Sequence, residues 1–128
     1  MKNRKFGLSS RVATTFVNGN WDEDGEQILD DAVRHGLRPQ HRLLEVGGPG
    51  LRVSQYFINH LNVGNYTGWD IGTEVGDLSG IEALAVRRPR LVEGMQFKPT
   101  PVEFAVVYHP DDLPLVADIA PLTLYVGT

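Results

Sequence analysis

The stretch RLLEVGGPGLRVSQYF, residues 42–57, contains the pattern that decides the fold. The mostly apolar run at 43–46 predicts a short buried strand, and the glycine-rich turn GGPG follows it at 47–50. Apolar residues then recur at helical spacing through residues 51–61, which predicts a helix. A turn that leaves a strand and opens a helix can point backbone N–H groups and a positive dipole end at an anionic or carboxylate-bearing ligand. The stretch therefore predicts either a ligand site or only a tight corner.

The remainder of the chain repeats the alternation of strand and helix. Four further strands are predicted, at 66–72, 91–97, 103–109 and 122–127. Helical patterns occupy 22–36, the second half of 74–88 with Ser79 as a cap, and the second part of 109–120. This alternation predicts an α/β fold with a mostly parallel sheet, in which ligands bind beyond the carboxyl ends of the strands. Residues 1–20 show no sustained period and are predicted to form an N-terminal arm before a single domain at 21–128.

Composition excludes several classes of function. The chain has no cysteine, so disulfides, thiolate catalysis and cysteine-ligated metal are excluded, and the four histidines show no metal-binding spacing. Its net charge of −4 argues against a nucleic-acid partner, which usually requires a basic face. No apolar run approaches the ~18 residues of a membrane helix, and no signal peptide is evident. The expectation is a cytoplasmic protein without a metal, a membrane or a nucleic acid.

Asp70 ends the second predicted strand, the position from which a carboxylate can accept both hydroxyls of a ribose. Two O–H donors suit the two oxygens of a carboxylate. The alternative is a turn-forming aspartate ahead of Ile71 and Gly72. The residue by itself favours neither interpretation.

The glycine turn and Asp70 together carry a family resemblance. LLEVGGPGLRVSQYF followed by NYTGWDIG resembles the first two motifs of the class I S-adenosylmethionine-dependent methyltransferases, and the order of elements is similar over residues 28–127. The resemblance implies a Rossmann-like sheet in the order 3-2-1-4-5, with the five predicted strands numbered along the chain, truncated at its C-terminal end. It implies S-adenosylmethionine as cofactor, with the ribose at Asp70 and adenine on Ile71. The methionine part would lie over the glycine turn, to which the resemblance assigns the cofactor-binding residues Glu45, Gly47, Gly48 and Gly50.

The end of the fourth strand is where a methyl acceptor would be activated. His109 lies there and could deprotonate an oxygen or nitrogen nucleophile near neutral pH, so it is the candidate catalytic residue. The alternative is a turn with solvated acidic side chains. The acceptor itself, a small molecule or a protein, is not specified by the sequence.

A second hypothesis is a methyltransferase-like domain that has lost catalysis and serves as a binding or assembly component. It is motivated by departures from the family pattern: the glycine loop is shortened, Met95 and Ala105 replace acidic residues, and no residues follow for a sixth and seventh strand. Whether the chain is an enzyme therefore stays open at this point.

The fifth strand, LTLYVG at 122–127, would be an uncharged edge of the sheet. Such an edge is a template for pairing with another chain, so the sequence predicts a homo-oligomer. The alternative is that the arm at residues 1–20 folds back over the edge.

Overall fold

Strands and helices alternate along the residues that the computed structural model describes, 11–72 and 84–128. The strands are β1 (Arg11–Phe16), β2 (Leu43–Val46), β3 (Tyr66–Trp69), β4 (Arg90–Val92), β5 (Phe104–Val107) and β6 (Leu122–Gly127). The helices are α1 (Trp21–Arg34), α2 (Leu51–His60) and the short α3 (Leu113–Val116), which follows a 3₁₀ turn at Pro110–Asp112. The fold class is α/β, as predicted.

All six strands are parallel and form one sheet in the order β1-β6-β5-β2-β3-β4. The predicted order of five strands differs from this sheet, because a sixth strand, β1, stands outside β6. The sheet is entirely rather than mostly parallel. The carboxyl ends of β2, β3 and β5 therefore meet at one edge of the sheet, where the glycine turn and Asp70 lie.

The central strands β2 and β5 are buried at every position, which explains why their sequences are apolar except for Glu45. Side chains on one face, such as Leu43 and Phe104, pack with α1 and α2 in the larger apolar core. Side chains on the other face, such as Leu44 and Ala105, pack with Val116 of α3. Glu45 lies on the first face, in register with Gly68 and Val106, and is completely buried.

The prediction of a loose arm is wrong for residues 11–16, which form β1 and pair with β6 from Arg11–Leu122 to Phe16–Gly127. Thr15 anchors this strand, because its hydroxyl donates a hydrogen bond to the buried carboxylate of Asp31 on α1. The premise of the homo-oligomer prediction is also wrong, since β6 is an interior strand. Residues 11–16 of the arm cover this edge, in agreement with the alternative prediction.

Two further predictions can be placed against the described residues. No helix among them is long and apolar enough to span a membrane. The predicted cap Ser79 lies outside the described residues, and the helical pattern there is represented only by residues 84 and 85.

Candidate functional site

The glycine turn connects β2 to α2 through two residues in the left-handed region of backbone space. Gly47 has φ +65° and Gly50 has φ +123°, conformations that strain any residue with a Cβ. The Gly47 amide donates to the carbonyl of Trp69 at 2.8 Å, which extends the β2–β3 ladder by one bond. The carbonyl of Gly50 accepts from the first turn of α2, so the helix begins directly at the turn.

The segment that follows β3 crosses close to this turn. The Gly72 amide donates to the Gly48 carbonyl at 2.6 Å. A Cβ on Gly72 would lie 2.9 Å from the backbone oxygen of Pro49, so the two loops touch only because residue 72 is glycine.

Gly72→Ala is therefore expected to push the two loops apart. The backbone oxygen of Pro49 cannot rotate away as the end of a side chain could, so the free energy of unfolding should fall by about 1–3 kcal/mol. Urea unfolding followed by circular dichroism measures this change. An unchanged unfolding midpoint would mean that the loops are not in contact.

Asp70 is held at the carboxyl end of β3 with φ +52°, a left-handed conformation that aspartate tolerates better than most residues. Its backbone amide donates to Val92, and its Oδ1 accepts from the Gly94 amide at 2.8 Å. Its Oδ2 accepts no hydrogen bond from residues 11–72 or 84–128. Asp70 thus fixes the loop after β4 with one oxygen and leaves the other available to a ligand.

Two cavities open beside the residues from Asp70 to Gly72. The first cavity, of about 300 Å³, is lined by Val46, Gly47, Trp69, Asp70, Met95, Asp112 and Leu115. The second cavity, of about 220 Å³, is lined by Leu51, Ile71, Gly72, Leu91, Val92 and Glu93. The first combines apolar walls with two carboxylates, whereas the second is apolar except for one carboxylate.

Asp112 is a site residue whose role the sequence did not predict. Its Oδ2 lies 3.2 Å from the position that a Cβ on Gly47 would occupy, so its carboxylate borders the glycine turn. Among the described residues, no ion pair involves either Asp70 or Asp112. Two carboxylates that form no ion pair with this part of the chain favour a ligand that carries positive charge.

Glu45 lies behind the turn rather than in either cavity. Its Oε1 accepts hydrogen bonds from the hydroxyls of Ser54, at 2.6 Å, and Tyr66, and its Oε2 accepts from Tyr108. Burial raises the pKa of Glu45, although the three hydroxyl donors act in the opposite direction. Burial, together with the neighbouring Glu45 charge, also raises the pKa values of Tyr66 and Tyr108 well above their ordinary range.

These hydrogen bonds place Glu45 beneath the glycine turn, whereas the family resemblance assigns it to the cofactor-binding residues. The carboxylate is completely buried and its partners are the side chains of α2, β3 and the end of β5, so it supports the turn from below. Gly48 rests on it, because a Cβ at that position would lie 3.0 Å from Oε2. The burial could have been inferred from the position of Glu45 inside an apolar strand, but nothing in the sequence indicated Ser54 and Tyr66 as its partners.

His109 lies apart from both cavities. Its side chain is 65% exposed, and its Nδ1 accepts a hydrogen bond from the Asp111 amide at 3.3 Å, as the cap of the 3₁₀ turn. The geometry therefore matches the alternative of a solvated turn, and a catalytic role for His109 stays a prediction. Of the predicted site residues, the structure brings Gly47 and Asp70 to one cavity and Ile71 to the other.

No group of three or more histidine, aspartate or glutamate side chains within residues 11–72 and 84–128 is placed to hold a metal ion. Comparison of the chain with protein-family models, with curated proteins and with solved structures finds no match. The methyltransferase hypothesis accordingly rests on the residues and the geometry of the site.

Proposed function

We propose that this chain binds S-adenosylmethionine across the two cavities and is an S-adenosylmethionine-dependent methyltransferase. The observation that carries the proposal is the position of Asp70, which lines the first cavity together with Gly47 and has one carboxylate oxygen that accepts no hydrogen bond from the described residues. A ribose placed there would direct its base to one side and its 5′ substituent to the other. Asp70 lines the first cavity, and the two residues that follow it, Ile71 and Gly72, line the second.

The second cavity suits an adenine ring. Its walls are the aliphatic side chains of Leu51, Ile71, Leu91 and Val92, which offer apolar contact to both faces of a flat base. Glu93 is the polar residue of the lining, and its carboxylate could accept a hydrogen bond from an exocyclic amine. The expectation that Ile71 packs against adenine is consistent with this position.

The first cavity suits the sulfonium and amino-acid part of the cofactor. The carboxylates of Asp70 and Asp112, which form no ion pair with the described residues, complement its positive charge, and Trp69 and Leu115 provide apolar walls beside them. Methyl transfer needs alignment of the acceptor with the methyl carbon more than it needs covalent help from the protein. The acceptor lone pair forms the new bond as the carbon–sulfur bond breaks, and sulfur keeps that electron pair.

Asp70→Asn tests the ribose assignment. Asparagine keeps an acceptor for Gly94 and tolerates the left-handed backbone, but it replaces the free carboxylate oxygen by an amide that cannot accept a hydroxyl proton. We expect S-adenosylmethionine to bind about tenfold more weakly, or more weakly still. Calorimetric titration measures the dissociation constant.

Asp30→Asn is the matched control, because it removes the same charge from an exposed position on α1. Its affinity should equal that of the unmodified protein. Equal affinities for all three proteins would show that Asp70 does not bind the ribose.

The exposure of His109 favours a second candidate function, a cofactor-binding domain without catalysis that serves in assembly. Both candidates predict binding of S-adenosylmethionine, and they differ in turnover. Incubation with cofactor labelled in its methyl group, in the presence of cell extract, should transfer label to an acceptor only if the chain is an enzyme. The acceptor and a cytoplasmic location stay predictions.

A further inference from the structure

Tyr108, the residue after β5, joins three parts of the molecule at the site. Its hydroxyl donates a hydrogen bond to Oε2 of Glu45. Its ring carbon Cε2 lies 3.2 Å from the position that a Cβ on Gly48 would occupy, so the ring borders the glycine turn. The ring also meets Trp21, at the start of α1, edge to face with centroids 6.0 Å apart.

The two oxygens of Glu45 divide its partners between the core and the turn. Oε1 accepts from Ser54 and Tyr66, which lie on α2 and β3 and are both buried. Oε2 accepts from Tyr108 and lies directly under Gly48. Tyr108 and this oxygen together form the surface on which Gly48 rests.

Gly48 is hydrogen-bonded to the loop that follows β3. Its carbonyl accepts the hydrogen bond from the Gly72 amide, and Gly72 directly follows Asp70 and Ile71 in the chain. A displacement of Gly48 therefore moves the acceptor that holds this segment. The path from the Tyr108 hydroxyl to the segment contains only one buried side chain, Glu45, and one backbone hydrogen bond.

We propose that Tyr108 is a positioning residue, which fixes the glycine turn through Glu45 and thereby fixes the loop that carries Asp70 and Ile71. Its effect on the cofactor rests on the proposed function, whereas its effect on the loops does not. Tyr66 is the matched comparison, because its hydroxyl bonds the same carboxylate from within a strand, and it borders Gly68, where an added Cβ would lie 2.7 Å from that hydroxyl.

The first measurement is amide hydrogen exchange at Gly72, compared between Tyr108→Phe and Tyr66→Phe by nuclear magnetic resonance. In Tyr108→Phe, exchange at Gly72 should become about tenfold faster after correction for global stability, because the hydrogen bond to Gly48 opens locally. In Tyr66→Phe, the exchange rate at Gly72 should change only as much as the global stability of the protein requires. Equal corrected rates in the two variants would overturn the proposal.

Gly48→Ala provides a second variant should Tyr108→Phe not fold. The added methyl group would meet Glu45 Oε2 at 3.0 Å and the Tyr108 ring at 3.2 Å, which lifts the turn without removing a hydrogen-bonding group. We expect the same faster exchange at Gly72. Unchanged exchange in a folded Gly48→Ala protein would also overturn the proposal.

The affinity for S-adenosylmethionine is the second measurement, and it distinguishes the proposed function from the proposed role of Tyr108. Tyr108→Phe should bind about tenfold more weakly, and Tyr66→Phe should bind like the unmodified protein. If the unmodified protein binds but both variants lose affinity equally, Tyr108 is only structural and the proposal fails. If the unmodified protein does not bind, the proposed function fails, and the exchange rates still decide whether Tyr108 positions the loops.

Discussion

Glu45→Leu is expected to lower the free energy of unfolding by about 3 kcal/mol or more. Leucine fills a similar volume but accepts no hydrogen bond, so it leaves the hydroxyls of Tyr66 and Tyr108 without their acceptor. Ser54 loses less, because its hydroxyl also bonds the Gly50 carbonyl at 3.1 Å. Urea unfolding followed by tryptophan fluorescence gives the change.

Glu45→Gln is the control for this loss, since the amide oxygen can still accept from Ser54 and Tyr66. Its stability should lie within about 1 kcal/mol of the unmodified protein near neutral pH. A leucine variant as stable as the glutamine variant would show that the hydroxyls have found other partners, and would contradict the role of Glu45 as their common acceptor.

The stability of the unmodified protein and that of the Glu45→Gln variant should depend differently on pH. The folded-state pKa of Glu45 is raised above its ordinary value of 4.5, so the folded protein holds the proton more tightly than the unfolded chain. The stabilisation is fully present below pH 4.5 and is lost as the pH rises through the raised pKa. The Glu45→Gln variant lacks this loss. Measured from pH 4 upward, the Glu45→Gln variant should therefore become progressively more stable relative to the unmodified protein.

Removal of β1 is the second change with a large expected effect. Deleting residues 1–16 uncovers the full length of β6, an uncharged strand whose backbone groups would then lack partners along one side. It also removes Thr15 from the buried carboxylate of Asp31. We expect the shortened protein to aggregate at micromolar concentration, which light scattering detects.

A variant that lacks only residues 1–10 is the matched control, because it retains β1. The difference between the two deletions is attributable to the strand. A shortened protein without β1 that kept a monomeric mass and the unfolding midpoint of the control would contradict the role of β1 as the cover of β6.

The sequence predicts the interior of this sheet well and its margin poorly. β2 and β5 were recognisable because burial on both faces makes their residues apolar, with Glu45 as the exception. β1 was not recognisable, because its sequence RVATTF mixes polar and apolar residues without a sustained period. Its partner β6 also lies at the other end of the chain. Parallel pairing over such a separation leaves no local signal, in contrast to a hairpin.

The candidate site divides in the same way. Gly47 and Asp70 could be predicted to approach each other, because the carboxyl ends of adjacent parallel strands share one edge of the sheet. The partners of Glu45 could not, since Ser54, Tyr66 and Tyr108 come from three different elements and meet only after the sheet is assembled. His109 was selected for its chemistry and its position at the end of the fourth predicted strand, and the 3₁₀ turn directs it to solvent instead.

Calorimetric titration of the unmodified protein with S-adenosylmethionine tests the central claim most directly. We expect saturable binding of one cofactor per chain, because Oδ2 of Asp70, which accepts no hydrogen bond from the described residues, suits the ribose. The acidic first cavity and the apolar second cavity likewise complement the cationic part and the adenine. Folded protein that gives no binding signal at millimolar cofactor would contradict it, and the glycine turn would then be a tight corner between a strand and a helix.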